Sequence, residues 1–264
     1  MTGRKQAEKK LLRRERRYEI ERLMREKRSE EYEVLEEVFD RSTLMTVYDF
    51  LNKGVIDEIF GVVSAGKEAR IYWGKDREGN ELAIKIYLTI SAEFKRGKLP
   101  YLKGDPRFTH IKGDTRSIVY AWAQKEFKNL QRACKVGVRV PKPIAIKNNV
   151  LIMEFIGEEG YTAPILKEAS IKNPEKLYQR LLNYIEKLYR EAELVHGDLS
   201  EYNIMVWREE PVLFDISQAV LLGHPMAKQL LQRDLENLRK YFKKLSVNVL
   251  SADEMYRRVT GGGS

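Results

Sequence analysis

Val195-His196-Gly197-Asp198-Leu199-Ser200-Glu201-Tyr202-Asn203 decides how this chain is read. It is an H-x-D-x-x-x-x-N loop entered from an apolar run, and twelve residues beyond Asn203 a second apolar run ends in Phe214-Asp215. Phosphoryl transfer asks for a carboxylate that orients the nucleophile and accepts its proton. It also asks for oxygen ligands to a divalent cation bridging the phosphates. Asp198 suits the first task, and Asn203 with Asp215 suits the second. Each residue alone would more often be a loop cap or turn former. Their joint spacing between apolar strands makes the pattern specific.

Outward toward the N-terminus, Lys85 lies in Leu82-Ala83-Ile84-Lys85-Ile86, the form of the third-strand lysine that holds the α- and β-phosphates in protein kinases. Its expected partner is an acid on the next helix. Glu126, in Lys125-Glu126-Phe127-Lys128-Asn129-Leu130, is the best placed. Gly61-Val62-Val63-Ser64-Ala65-Gly66-Lys67 has the G-x-x-x-x-G-K spacing of a phosphate loop, but Glu68 stands where Ser or Thr should bind Mg²⁺. Residues 69–73 also read as a strand, whereas a phosphate loop opens a helix. The better reading is a glycine-containing turn between strands that covers a nucleotide. It brings Val63, Ser64, Gly66, Lys67, Glu68 and Ala69 toward a triphosphate. Met153-Glu154-Phe155-Ile156-Gly157 ends the last strand of this half at the kinase hinge position. There Met153 would border the pocket, and backbone groups of Glu154 and Ile156 would meet adenine.

The remaining pattern predicts a short helix over residues 40–54 with Ser42 or Thr43 near its start. Antiparallel strands are expected over 56–63, 69–73 and 82–87, with turn chemistry at Asp76-Arg77-Glu78-Gly79-Asn80. Residues 91–115, rich in Gly, Lys, Pro and Asp, read as a long mobile insertion. A strong helix follows over 115–135, then two strands around Asn148-Asn149, then helices over 172–193 and 226–245. The fold class is α+β, a trimmed bilobal protein-kinase-like fold with an antiparallel sheet N-lobe and a helical C-lobe. Its divisions are residues 1–44, a basic helical arm; 45–157, the N-lobe; and 158–260, the C-lobe with the catalytic and metal-binding loops.

Ser64-Ala65-Gly66-Lys67-Glu68-Ala69, His196 through Ile204, and Asp215-Ile216-Ser217-Gln218-Ala219, extended by His224-Pro225 and Arg233-Asp234, together resemble the RIO atypical protein kinases, most nearly their type-one branch. The likeness covers roughly residues 45–245, with Ala65 where Thr is frequent. It implies Asp198 as catalytic aspartate and Asp215 as metal ligand. It further implies ATP with Mg²⁺ (Mn²⁺ as the alternative ion), autophosphorylation on serine, and service in maturation of the small ribosomal subunit. The partners would then be the pre-ribosomal small subunit and its RNA. In related members the metal aspartate can become an aspartyl-phosphate, which would be Asp215 here and suggests an ATPase cycle. Gly197 replaces the Arg of His-Arg-Asp that clamps a phosphorylated activation loop. Only about ten residues separate Asp215 from Pro225, so a conventional peptide platform is not expected.

Composition bounds the alternatives. The chain has 264 residues, a formal net charge of +9 and one cysteine, Cys134. No internal disulfide can form, which agrees with a reducing, cytoplasmic compartment; no membrane span or secretory leader is visible. The positive charge suits RNA or a ribonucleoprotein, and equally a thermophile's surface. A small-molecule phosphotransferase of the aminoglycoside or choline type also uses His-Gly-Asp loops, but acidic residues would be expected where Ile216-Ser217-Gln218 follows the metal Asp. An inactive RNA-binding scaffold conflicts with the intact Lys85, Asp198, Asn203 and Asp215. Ser91 and Ser117, flanking the insertion, are the expected autophosphorylation sites.

Overall fold

The computed structural model describes residues 39–89 and 92–262. The basic arm of residues 1–44 therefore lies, up to residue 38, outside the described residues. Helix α1 (Arg41–Asn52) opens the described fold, and its N-cap is Asp40, whose carboxylate accepts from the Thr43 N–H at 2.8 Å. Ser42 and Thr43, expected at the start, lie inside the first turn. A carboxylate caps as well as a hydroxyl and also favours the positive end of the helix.

Strands β1 (Glu58–Ala65), β2 (Ala69–Lys75), β3 (Glu81–Tyr87), β4 (Pro143–Lys147) and β5 (Val150–Glu154) form one antiparallel sheet in the order β1-β2-β3-β5-β4. Period-two alternation sorts the residues of β3 between two environments. Leu82, Ile84 and Ile86 pack with Val47 and Phe50 of α1, whereas Ala83, Lys85 and Tyr87 belong to the other face. That face carries α3 (Thr115–Lys135), capped by Asp114, whose carboxylate accepts from the Ser117 N–H at 2.9 Å. The β4–β5 hairpin turns at Asn148, which takes a positive φ of 53° as the Asn-Asn pair predicts.

The insertion over 91–115 is where structure and expectation part. It holds helix α2 (Ala92–Leu102) and a 3₁₀ turn at Pro106–Phe108. Leu99, Leu102, Phe108 and Ile111 pack with Trp122 and Ile118 of α3. Arg107 makes a forked pair with Asp105 and donates to Asn129 Oδ1 at 2.9 Å, and His224 lies 2.9 Å from the Lys103 carbonyl. Glycine, lysine and proline dominate the segment's composition, but a few spaced apolar residues decide its packing.

The hairpin of β6 (Gly157–Glu158) and β7 (Tyr161–Thr162) straddles the boundary set at 157. Helix α4 (Pro174–Arg190) starts at an Asn173 cap with Pro at its first position. It packs Leu181, Leu182 and Ile185 against α5 (Ala227–Lys244) and α6 (Ala252–Thr260). Two small strand pairs bracket the diagnostic loops. β8 (Leu194–Val195) pairs with β11 (Val220–Leu221), and β9 (Ile204–Trp207) with β10 (Glu210–Leu213). The segments 196–203 and 214–219 are thus held side by side, and the Phe214 N–H donates to the Asn203 carbonyl at 3.1 Å.

Candidate active site

Lys85 is nearly sealed from solvent, and its Nζ lies 2.8 Å from Glu126 Oε1 and 3.1 Å from Asp215 Oδ1. A buried ammonium persists only when paired. Burial pulls its pKa down, but the charges of Asp215 and Glu126 outweigh this and hold it well above the usual lysine value. Glu126 is raised by its own burial despite Lys85, while Asp215 is lowered, chiefly by the Lys85 charge. Tyr87, two positions along β3 and so on the same face as Lys85, donates its hydroxyl to Glu126 Oε2. Tyr87 was not singled out in the sequence, although alternation from Lys85 points to it.

Asp198 sits in a wetter place. Its carboxylate accepts from Asn203 Nδ2 at 3.2 Å and from Gln218 Nε2 at 3.1 Å, with Arg233 3.7 Å away. Partial burial raises its pKa and Arg233 opposes the rise. The loop itself hangs on Asp234 of α5, whose buried carboxylate accepts from the Gly197 and Leu199 N–H groups at 2.7 and 2.8 Å. Burial pushes Asp234 up to about 7 against those two bonds. Gly197 has a φ of 78°, and an added Cβ would come 3.2 Å from the Gln218 carbonyl, so the Arg of His-Arg-Asp would be strained at this position. His196 is buried with neither ring nitrogen bonded among the described residues, and desolvation lowers it to about 4, so it is neutral at physiological pH.

Above these groups a cavity of about 500 Å³ opens between the lobes, lined by Val63, Ser64, Met153, Glu154, Ile156 and Phe214 among others. Five of the residues expected around a nucleotide are therefore brought together. Gly66, Lys67, Glu68 and Ala69 do not line it; they connect β1 to β2, and the Gly66 N–H donates to the Ala69 carbonyl at 3.0 Å. Strands on both sides of this turn rule out the helix-opening phosphate loop. Glu68 is held by Lys98 at 2.7 Å, a partner invisible in the sequence because it comes from the insertion. The Glu154 N–H donates to the Lys142 carbonyl at 2.9 Å, so its carbonyl is the backbone group left to meet a base. Its side chain forms a forked pair with Arg139 at 2.6 and 2.7 Å.

The oxygen atoms fit a hard divalent cation. Asn203 uses Nδ2 on Asp198, which frees its Oδ1, and Asp215 uses Oδ1 on Lys85 and Ser217, which frees Oδ2. No cluster of three His, Cys, Asp or Glu able to hold a metal alone occurs among the described residues. The two free oxygens of Asn203 and Asp215 suit Mg²⁺, which takes one or two protein oxygens and completes its shell with phosphates and water.

A lysine held between a helix glutamate and a metal-loop aspartate is how protein kinases grip a nucleoside triphosphate, and the chain is an enzyme of the protein-kinase class. A family model described as the RIO domain matches residues 70–255, and the chain belongs to the RIO family. It is 40% identical over 238 residues to the RIO-type serine/threonine-protein kinase Rio1 of Haloferax volcanii, covering 90% of this chain and 81% of that one. To the Rio1 of Methanocaldococcus jannaschii it is 41% identical, with 94% and 84% covered. To human serine/threonine-protein kinase RIO1 it is 38% identical, covering 86% of this chain but 40% of the human one. Among solved structures, the Rio2 kinase of Chaetomium thermophilum superposes with a TM-score of 0.62 at 22% identity, covering 82% of this chain and 67% of that one. No described helix is long and apolar enough to cross a membrane.

Proposed function

We propose that this chain transfers the γ-phosphoryl group of ATP to serine or threonine hydroxyls, its own among them, and that it also hydrolyses ATP. The observation that carries this reading is Lys85 joined at once to Glu126 and Asp215, with Phe214, the neighbour of Asp215, lining a cavity of nucleotide size. Asp198 would accept the proton of the attacking hydroxyl, and Lys85 would hold phosphate oxygens. Asn203 and Asp215 would hold Mg²⁺, or Mn²⁺ with the same oxygen ligands, which supplies charge neutralisation on the phosphates.

The ATPase reading has its own support. Between Asp215 and His224 the chain makes only the 3₁₀ turn Ile216–Gln218 and the two-residue strand β11, leaving no peptide platform. A phosphoryl group accepted by Asp215 and then lost to water needs none. Of the two serines expected to be modified, Ser117 donates its hydroxyl to Asp114 Oδ2 at 2.7 Å within the helix cap, and Ser91 lies outside the described residues. The partner we propose is the small ribosomal subunit precursor and its RNA, in the cytoplasm, with the basic arm on phosphate. Deleting residues 1–30 should then weaken RNA binding and flatten its salt dependence.

The deciding experiment is incubation with Mg²⁺ and γ-labelled ATP, comparing wild type with Asp198→Ala and Asp215→Asn. Label and released phosphate lost in both variants support the site. Label stable to acid marks a serine or threonine ester, and label cleaved by hydroxylamine marks an acyl phosphate. No label and no turnover in wild type overturns the reading in favour of a nucleotide-binding scaffold.

A further inference from the structure

Helix α3 meets the metal-binding loop twice, and only the first meeting, Glu126 through Lys85 to Asp215, belongs to the nucleotide grip described above. The second is made by Lys125 and Asn129, both 0% exposed. Lys125 Nζ donates to the Ser217 carbonyl at 2.9 Å and to the Ala219 carbonyl. Asn129 Nδ2 donates to the Ile216 and Ala219 carbonyls at 2.9 and 3.1 Å. All the carbonyls belong to the turn that directly follows Asp215. Asn129 is itself oriented, because its Oδ1 accepts from Arg107, which is locked to Asp105.

A fully buried ammonium aimed at backbone carbonyls is expensive and needs a reason. Apart from Lys125, Asn129 and Glu126, the buried stripe of α3 is Ile118, Val119, Trp122, Ala123, Leu130 and Ala133, so an apolar side chain at 125 would suit packing alone. Polar groups enter the stripe only opposite the 214–219 segment and Lys85. That segment has something to be held: Asp215 sits at φ 53°, left-handed for a residue with a Cβ, and keeps this conformation only if the neighbouring backbone is over-determined. The contacts close a ring from α3 through Glu126, Lys85 and Asp215 to the turn, and back through Lys125 and Asn129 to α3.

We infer that Lys125 and Asn129 are positioning residues that splice the glutamate-bearing helix to the metal loop, so that the transfer geometry stands assembled without a phosphorylated activation segment. The inference deepens the function proposed above and rests on it for its effect on turnover. In kinases with a long activation loop, loop phosphorylation sets the position of this helix. Here internal hydrogen bonds take that task, acting on Asp215 as outer-shell partners act on a metal ligand.

The test uses the full chain with Lys125→Met, which keeps length and volume, and Asn129→Ala, which removes two hydrogen bonds to the turn without touching Lys125. Three readouts are taken: calorimetric affinity for ADP with and without Mg²⁺, hydrogen exchange of amides 216–221, and kcat and KM for phosphate transfer. ADP affinity without metal should stay within about twofold, while the gain on adding Mg²⁺ should fall about tenfold. Exchange over 216–221 should quicken while that of α4 does not, and kcat should fall about 10–100-fold with KM little changed. If both variants keep the wild-type Mg²⁺ gain and exchange, and lose only thermal stability, the residues are mere packing and the inference is overturned. If Lys125→Met does not fold, Asn129→Ala decides alone by the same readouts. A wild type that binds Mg²⁺ and ADP but transfers no phosphate defeats the proposed function, while the exchange and Mg²⁺ readouts still judge the splice.

Discussion

Lys85 and Asp198 mark two ends of the candidate site, both under the charge of Asp215, yet their surroundings have little in common. The lysine side chain is 9% exposed and its glutamate partner 1%, whereas that of Asp198 is 43% exposed beside an Arg233 at 47%. At the first end, charges are taken out of water and must be matched almost completely. At the second, a carboxylate is aimed by hydrogen bonds and left open to a hydroxyl from outside. The difference separates two jobs, fixing the electrostatics of a triphosphate and admitting a changing acceptor. It predicts that losses of equal activity at the two ends will differ sharply in stability.

Lys85→Met and Asp198→Ala break that comparison most directly. Each should lower phosphate transfer by about 10²–10⁴-fold, the range for losing a positioned charge or a general base. Lys85→Met also strands a buried Glu126 carboxylate, which costs about 3–5 kcal/mol of stability. Asp198→Ala, on a half-exposed loop, should cost under about 1 kcal/mol. Denaturant unfolding of both variants checks this, and equal destabilisation would erase the distinction between a dry and a wet end.

Asp234 tests whether the open end is rigid by design. Its carboxylate is the acceptor for two buried N–H groups of the catalytic loop, so Asp234→Ala leaves both without a partner, at about 1–3 kcal/mol for each unsatisfied group. A fall in kcat of about tenfold, from an aspartate base that is intact but less well aimed, should accompany it. At the dry end, Tyr87→Phe removes one bond to the Glu126 carboxylate while leaving Lys85 in place. The expected effect is smaller, about 1.5–3 kcal/mol in stability and a few-fold in kcat. A larger loss of activity at Tyr87 than at Asp234 would invert the comparison.

How much of this was legible in the sequence differs between the same two ends. Asp198, Asn203 and Asp215 lie within one short stretch, and their spacing alone carries the metal and base roles. Lys85 and Glu126 are 41 positions apart, but each sits in a local pattern, a strand run and an amphipathic helix, that marks its face. The supports were not legible. Lys98 on Glu68 and Arg107 on Asn129 come from an insertion read as mobile, and Lys125 on the 3₁₀ turn from a helix position to which the sequence attached no role. Composition misled there because a Gly- and Lys-rich segment needs only Leu99, Leu102, Phe108 and Ile111 on one side to dock. The small strands β8 to β11 were visible only as apolar runs, since pairings of two to four residues are too short to show a period of their own.

The smallest effect is also the one that most sharpens the contrast, because it concerns the wet end's charge alone. Asp198 acts as a base only when ionised, so activity must fall as pH drops through its pKa. Partial burial raises that pKa, Arg233 lowers it, the neighbouring Asp215 charge raises it, and Asn203 and Lys98 lower it again. The acid limb of kcat/KM, measured at fixed free Mg²⁺, should therefore lie higher than an unperturbed aspartate would place it. Removing the cation in Arg233→Ala should carry the limb further toward neutral pH while leaving the plateau rate at high pH within a few-fold of wild type. Lys85 and Glu126 give no matching handle. Lys85 is held well above its usual value and stays charged across the same pH range, while burial raises Glu126, on which Arg233 does not act. An acid limb that ignored Arg233 but moved with Tyr87→Phe would mean that the dry pair, and not Asp198, sets the proton inventory of the reaction.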